Sequence, residues 1–76
     1  MPVIHQIDSV KIKVYPMDHQ PAHVHVVLQG GRDAQVIIDD LTITSRTLKA
    51  KDIADALAWI ADNREFCRMK FQEYQL

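Results

Sequence analysis

Histidine and valine alternate over residues 23–26, and this alternation constrains the local fold more than any other feature of the sequence. Side chains on a β-strand point to opposite faces with a period of two residues. The pattern therefore predicts a strand from about residue 23 to residue 29, with Val24, Val26 and Leu28 facing the core. The histidines of this strand, His23 and His25, are expected to share the opposite face.

Other segments have the composition and spacing of further strands in the same sheet. Asp8-Ser9 predicts a turn, and Gly30-Gly31 predicts a hairpin because glycine reaches positive φ without steric cost. Leu41–Thr44 is either a short extra strand or an irregular link. The predicted strands are residues 3–7, 10–15, 23–29 and 34–38.

From about Leu48 the apolar residues follow a spacing of three and four, which predicts helix. Thr47 is the preferred N-cap, and Ser45 is the alternative. The single cysteine, Cys67, lies in the apolar stripe and is interpreted as a core residue, since one cysteine allows no disulfide framework. The stripe comprises Ile53, Leu57, Ile60, Cys67, Phe71 and Tyr74.

Arg64 interrupts this stripe, and a charged side chain rarely lies in a core without a partner. One interpretation is a break near Asn63 that gives two helices with separate phases. The other is one long helix in which Arg64 reaches a carboxylate such as Asp39 or Asp40. We favour the break, because Asp62-Asn63 suits a helix end.

These elements predict an α+β fold in one domain spanning residues 1–76. A small antiparallel sheet of about four strands should carry the C-terminal helix or helix pair on one face. We expect a cytoplasmic protein, because no signal peptide or bilayer-spanning run is seen and the cysteine usage fits a reducing compartment. The predicted core is Val10, Ile12, Val14, Val24, Val26, Leu28, Val36 and Ile38 against Ile53, Leu57 and Ile60.

The formal net charge of −1 argues against broad electrostatic capture of nucleic-acid backbones. Local basic patches are still present in the sequence. Lys11 and Lys13 share one strand face, and Arg46 lies with Lys49 and Lys51 near the start of the helix. Their alternative interpretation is ordinary solvated surface charge.

The histidine cluster His19, His23 and His25 suits three kinds of chemistry or contact. The three imidazoles suit proton transfer near neutral pH, for example in RNA cleavage, with Tyr15 and Arg46 assisting. They also suit zinc, copper or nickel, although no fourth ligand is evident and no cofactor is predicted. The third interpretation is a structural row or a contact surface for another protein. Whether the protein is an enzyme stays open at this point.

The octet His19–Val26 resembles a signature of the DhiT-like toxins, small bacterial proteins long catalogued as a domain of unknown function. In the family pattern His-x-Pro-Pro-His-Val-His-Val, Ala22 takes the place of the second proline. The resemblance extends over nearly the whole chain, with a looser match at Asn63-Arg64-Glu65. The residues that match the octet are His19, Pro21, His23, Val24, His25 and Val26.

The resemblance implies a toxin-like component of a type II toxin–antitoxin module, with a small antitoxin-like protein as partner. RNA is the candidate substrate, and the catalytic candidates are His19, His23, His25, Tyr15 and Arg46. The alternatives are a noncatalytic protein-binding module and a small histidine metal-binding protein. No membrane association is expected, self-association is a further option, and the molecular target stays open.

Overall fold

The computed structural model describes residues 3–16, 21–45 and 47–75. Five antiparallel strands form one sheet in the order β1-β2-β3-β4-β5, and each strand pairs with the next along the chain. The predicted α+β class is confirmed. The fifth strand lies in Leu41–Thr44, the segment that was predicted to be either a short strand or an irregular link. The elements are β1 (Val3–Ile7), β2 (Val10–Lys13), β3 (His23–Val27), β4 (Asp33–Ile37), β5 (Ile43–Thr44), a 3-10 turn (Ala50–Ile53), α1 (Ala54–Asp62) and α2 (Arg64–Glu73).

The turns between the strands form where the sequence predicts them. Asp8 adopts a φ of 53° between β1 and β2, and Asp tolerates this left-handed region better than most residues. Gly30 and Gly31 adopt φ values of 91° and 88° between β3 and β4, where a side chain would be strained. The Leu28 N–H donates to the Arg32 carbonyl at 2.7 Å and closes this loop.

The core lies between one face of the sheet and the helices. Ile12 is opposite Val26 and Val24 is opposite Val36, so these side chains share a face. The expected burial of Val24 and Val26 is confirmed, and most other predicted core residues are also buried. Val10, Leu28 and Leu57 are partly buried at its edge. The buried apolar residues are Ile12, Val14, Val24, Val26, Ala34, Val36, Ile38, Leu48, Ile53, Ala56, Ile60, Cys67 and Phe71.

The helical region breaks at Asn63, as predicted. Asn63 has φ −130° and ψ 33°, outside the helical range, and its side-chain Nδ2 donates to the Trp59 carbonyl at 2.8 Å. Arg64 donates from Nε to the Ile38 carbonyl at 3.1 Å, and from Nη1 to the Ala61 carbonyl at 3.3 Å. The guanidinium group of Arg64 therefore forms hydrogen bonds with backbone carbonyls. The alternative interpretation, one long helix, paired Arg64 with a carboxylate.

The helical region begins later than predicted, and neither Thr47 nor Ser45 is its N-cap. Lys49 precedes the first turn, and its backbone N–H donates to Asp52 Oδ2 at 2.8 Å. Ser45 Oγ instead accepts hydrogen bonds from the Thr47 and Leu48 backbone N–H groups at 3.2 and 3.0 Å. The serine thus holds the link that enters the helical region, and Asp52 satisfies the first backbone donor.

Helix α2 lies across the end of the sheet at which β2 and β4 end and β3 begins. Arg68 forms an ion pair with Asp39, just after β4, at 2.6 Å. Just beyond the C-terminal end of the helix, Gln75 Nε2 donates to the Tyr15 carbonyl at 3.2 Å. This placement brings α2 beside the first residue of β3, His23. Across the residues that the structure describes, no helix is long and apolar enough to cross a membrane.

Candidate functional site

The face of the sheet opposite the helices carries polar side chains, and we call it the outer face. Alternation and strand register place Lys11, Lys13, His25, Gln35 and Thr44 on it. These side chains are half-buried or exposed, whereas most aliphatic residues on the other face are buried. The outer face is therefore the surface on which the sheet can meet a ligand.

One register row crosses the outer face from β2 to β5. Lys13 is directly opposite His25, His25 is opposite Gln35, and Gln35 is opposite Thr44. Directly opposed side chains in an antiparallel pair have Cβ atoms about 4.5–5.5 Å apart. An ammonium, an imidazole, a carboxamide and a hydroxyl group therefore follow one another across four strands.

His25 lies at the centre of an aromatic cluster formed by Tyr15, His23 and His25. The Tyr15 ring meets the His25 ring at a centroid distance of 4.2 Å and an interplanar angle of 90°. The His23 ring lies 5.1 Å from His25 at 69°. His25 is half-buried, so it keeps contact with solvent while two rings limit its orientation.

His23 is almost fully buried, with 1% of its surface exposed. Its Nδ1 lies 2.8 Å from the Pro21 carbonyl oxygen. Because a carbonyl oxygen can only accept a hydrogen bond, Nδ1 carries the proton of this bond. The Phe71 ring lies 5.3 Å from the imidazole on the helix side. His23 is thus an oriented ring beside His25, and alternation along β3 did not predict its burial.

The C-terminal end of α2 and Gln75, which follows it, contact the cluster. Gln75 Nε2 donates to the carbonyls of Tyr15 and Phe71 at 3.2 and 3.0 Å. The same segment therefore holds the backbone of Tyr15 and the residue that packs on His23. The sequence analysis placed Phe71 in the apolar stripe but did not predict its contact with His23, and it did not single out Gln75. The Phe71–His23 and Gln75–Tyr15 contacts join residues that are far apart in sequence, so no local pattern indicates them.

A shallow depression of about 370 Å³ adjoins His25 at the β4–β5 side of the outer face. Gln35 and Thr44 line it, and so does Asp33, which lies on the same face of β4. Ser45 Oγ donates to the Asp33 carbonyl at 3.1 Å and accepts from two backbone N–H groups of the following link. The hydroxyl of Ser45 therefore stabilises the rim.

Two of the predicted site residues, His19 and Arg46, lie outside the described residues. The other three, Tyr15, His23 and His25, are brought together in one cluster. Among the described residues, no group of three His, Cys, Asp or Glu side chains is close enough to share a metal ion.

The fourth histidine, His5, does not belong to this cluster. It lies opposite Ile12, on the helix-covered face, and stacks on Trp59 at 4.1 Å with an interplanar angle of 5°. Trp59 also meets the Phe66 ring edge-on at 6.1 Å. These contacts make His5 part of the packing between the sheet and the helices.

Cys67 is fully buried, and burial raises the pKa of its thiol to about 11. A thiol with so high a pKa stays protonated at neutral pH and is a poor nucleophile. The prediction that Cys67 is a core residue is confirmed.

These features define a small α+β domain whose open sheet face carries a tyrosine–histidine cluster beside a lysine. Residues 10–72 match the family described as "Domain of unknown function (DUF4160)", and the chain belongs to that family. Neither the curated proteins nor the solved structures include a match to this chain.

Proposed function

We propose that this protein is the toxin component of a bacterial type II toxin–antitoxin module and that it cleaves RNA at its outer face. The observation that supports this most is the position of Lys13 directly opposite His25, whose ring also contacts Tyr15. An imidazole can act as the base, a phenol as the acid and a cation as the group that stabilises phosphate charge in metal-free phosphodiester cleavage. The octet that resembles the DhiT-like signature supplies the toxin part of the proposal.

In the proposed reaction, His25 removes the proton from a ribose 2′-hydroxyl group. The 2′-oxygen attacks the adjacent phosphorus, a new P–O2′ bond forms, and the P–O5′ bond breaks. Tyr15 donates its hydroxyl proton to the departing 5′-oxygen. The products are a 2′,3′-cyclic phosphate and a 5′-hydroxyl end, and Lys13 stabilises the charge that develops on the phosphate oxygens.

We assign His23 a positioning role, because its burial keeps it away from a polymeric substrate. Its hydrogen bond to the Pro21 carbonyl sets the orientation of its ring, which in turn limits the ring of His25. His19 and Arg46 stay predicted members of the site. An RNA-directed toxin would act in the cytoplasm, and we propose that location.

Because the net charge is −1, the protein as a whole does not attract RNA, and the proposal relies on the local cations of the outer face. Lys11 is exposed on the same face as Lys13, two residues earlier in β2, so the cations are concentrated beside His25. Local cationic side chains attract a phosphate over a range of about 8 Å at physiological ionic strength. An antitoxin-like partner would neutralise the toxin by covering the outer face.

The second candidate function is a noncatalytic module that binds another protein through the same face. The half-buried rings of Tyr15 and His25 support it, because Tyr and other aromatic rings are favoured at protein interfaces. In that case substitutions in the cluster would weaken the complex with the partner protein, and the wild-type protein would not cleave RNA.

The discriminating experiment combines induced expression with purified protein incubated with cellular RNA. We expect growth arrest and RNA cleavage with the wild type, and loss of both with His25→Ala and with Tyr15→Phe, which keeps the ring and removes only the hydroxyl. His5→Ala is the matched control, because its histidine lies on the opposite face. Circular dichroism of each variant would show that it folds.

The outcome also separates the alternatives. Cleavage that persists in EDTA supports metal-free proton transfer, whereas cleavage lost in EDTA and restored by zinc would assign the histidines to a metal. Intact RNA under conditions in which the protein still arrests growth would reject the nuclease proposal in favour of protein contact.

A further inference from the structure

We infer that the depression beside His25 is a subsite for one RNA base, formed by Asp33, Gln35 and Thr44, and that it prefers a base with an exocyclic amino group. This inference rests on the proposed function, because it names the part of the substrate that the same site would recognise. It assigns the phosphate to Lys13 and the base to the other side of His25.

The register row provides the spacing for this assignment. Neighbouring strands lie about 4.8 Å apart, so Lys13 and Gln35, on either side of His25, are separated by about 10 Å across the sheet. A nucleotide can bridge such a distance from its phosphate to the outer edge of its base. The RNA would therefore cross the strands, with its ribose above His25.

The distribution of charge sets the direction in which the nucleotide lies. Among the residues that the structure describes, the β2 side of His25 carries Lys11 and Lys13, whereas the β4 side carries Asp33 together with neutral Gln35 and Thr44. The Asp33 carboxylate repels a phosphate but accepts hydrogen bonds from N–H donors. A carboxamide offers both donors and an acceptor, as in the pairing of glutamine with adenine.

This combination favours adenine, cytosine or guanine over uracil. The first three bases have an amino group that can donate to Asp33 or to the Gln35 carbonyl. At the position of the cytosine amino group uracil has a carbonyl oxygen, which would face the Asp33 carboxylate without a proton between them.

The depression is held in shape before a ligand enters. Ser45 Oγ donates to the Asp33 carbonyl at 3.1 Å, so the start of β4 is tied to the end of β5. The same oxygen accepts from the Thr47 and Leu48 N–H groups and fixes the link beyond. Groups that are already positioned lose less entropy when they bind a ligand.

The test is to titrate ¹⁵N-labelled protein with four ligands in turn and to measure the change in its amide chemical shifts. Inorganic phosphate should shift signals of Lys13 and His25, and cytidine should shift those of Gln35 and Thr44. Cytidine 3′-monophosphate should shift both sets, and uridine should bind at least fivefold more weakly than cytidine.

Gln35→Ala should weaken cytidine 3′-monophosphate about tenfold, which corresponds to the lower part of the range for one bidentate base contact. Gln6→Ala is the matched control, because Gln6 is an exposed glutamine on β1, and its variant should stay within twofold of the wild type. Equal binding of cytidine and uridine, or no shift at Gln35 and Thr44, would overturn the base subsite.

These results are distinguishable from failure of the nuclease proposal. RNA cleavage that requires His25, together with phosphate shifts but no base-dependent shifts, would retain the nuclease and reject the subsite. Base-selective shifts at Gln35 with intact RNA would retain the subsite as a nucleotide-binding site and reject cleavage.

Discussion

The rings of His23 and Phe71 lie 5.3 Å apart, and this contact joins the first residue of β3 to helix α2. It buries a histidine that strand alternation would leave on the outer face with His25. The helix that completes the core therefore also orients the polar cluster. Stability and activity are expected to be linked through this pair of residues.

His23→Ala and His25→Ala should affect stability differently, although both should abolish RNA cleavage. The first removes a buried, hydrogen-bonded ring and should lower the free energy of unfolding by about 2–4 kcal/mol. The second removes a half-buried ring and should cost less than about 1.5 kcal/mol. Urea denaturation of both variants measures the difference, and equal losses would contradict the burial of His23.

Phe71→Leu tests whether α2 orients the cluster. The leucine keeps an apolar side chain in the core, so the loss of stability should be about 1–2 kcal/mol. The imidazole NMR signals of His23 and His25 should nevertheless shift, because the aromatic ring no longer faces His23. Phe66→Leu on the same helix is the control, since its ring contacts Trp59, and it should leave those signals in place.

Arg64 and Arg68 provide a matched pair for the contacts between α2 and the end of β4. The Arg68–Asp39 ion pair is largely exposed, so Arg68→Ala should cost about 0–1 kcal/mol, and less as salt is added. Arg64 donates to the Ile38 and Ala61 carbonyls in a partly buried position, and Arg64→Ala should cost about 1–3 kcal/mol. Thermal unfolding at low and high salt compares them, and a salt-dependent Arg64 effect would indicate a charge partner instead.

Cys67 should make the protein less stable at alkaline pH. Burial raises its folded-state pKa from 9.0 to about 11, so the unfolded chain loses the thiol proton first. Between those values the unfolded state binds fewer protons, and the free energy of unfolding should fall by at most about 1.4 kcal/mol per pH unit.

Comparison with Cys67→Ala isolates this effect from the titration of lysine and tyrosine. The stability difference between wild type and variant should shrink as the pH rises from 9 to 11. A constant difference over that range would show that the thiol ionises equally in both states. Native protein should also react with a thiol reagent only at the rate of its unfolding or local opening.

The sequence by itself determined the features that depend on neighbouring residues. Alternation predicted β3 and the burial of Val24 and Val26, because the period of a strand is a property of the local backbone. The glycine pair predicted its turn, and Asp62-Asn63 predicted the helix break, since turns and helix ends are governed by local conformational preferences. The start of the helical region was placed too early, because the capping groups at Lys49 and Asp52 were not recognised.

Only the tertiary structure decided which side chains meet across the sheet and at its end. The register that places Lys13, His25, Gln35 and Thr44 in one row depends on the pairing of four strands. The burial of His23 and the support of Tyr15 depend on where α2 crosses the end of the sheet. Such contacts join residues that are distant in sequence, and their geometry follows from packing a whole helix against a whole sheet, which no local pattern encodes.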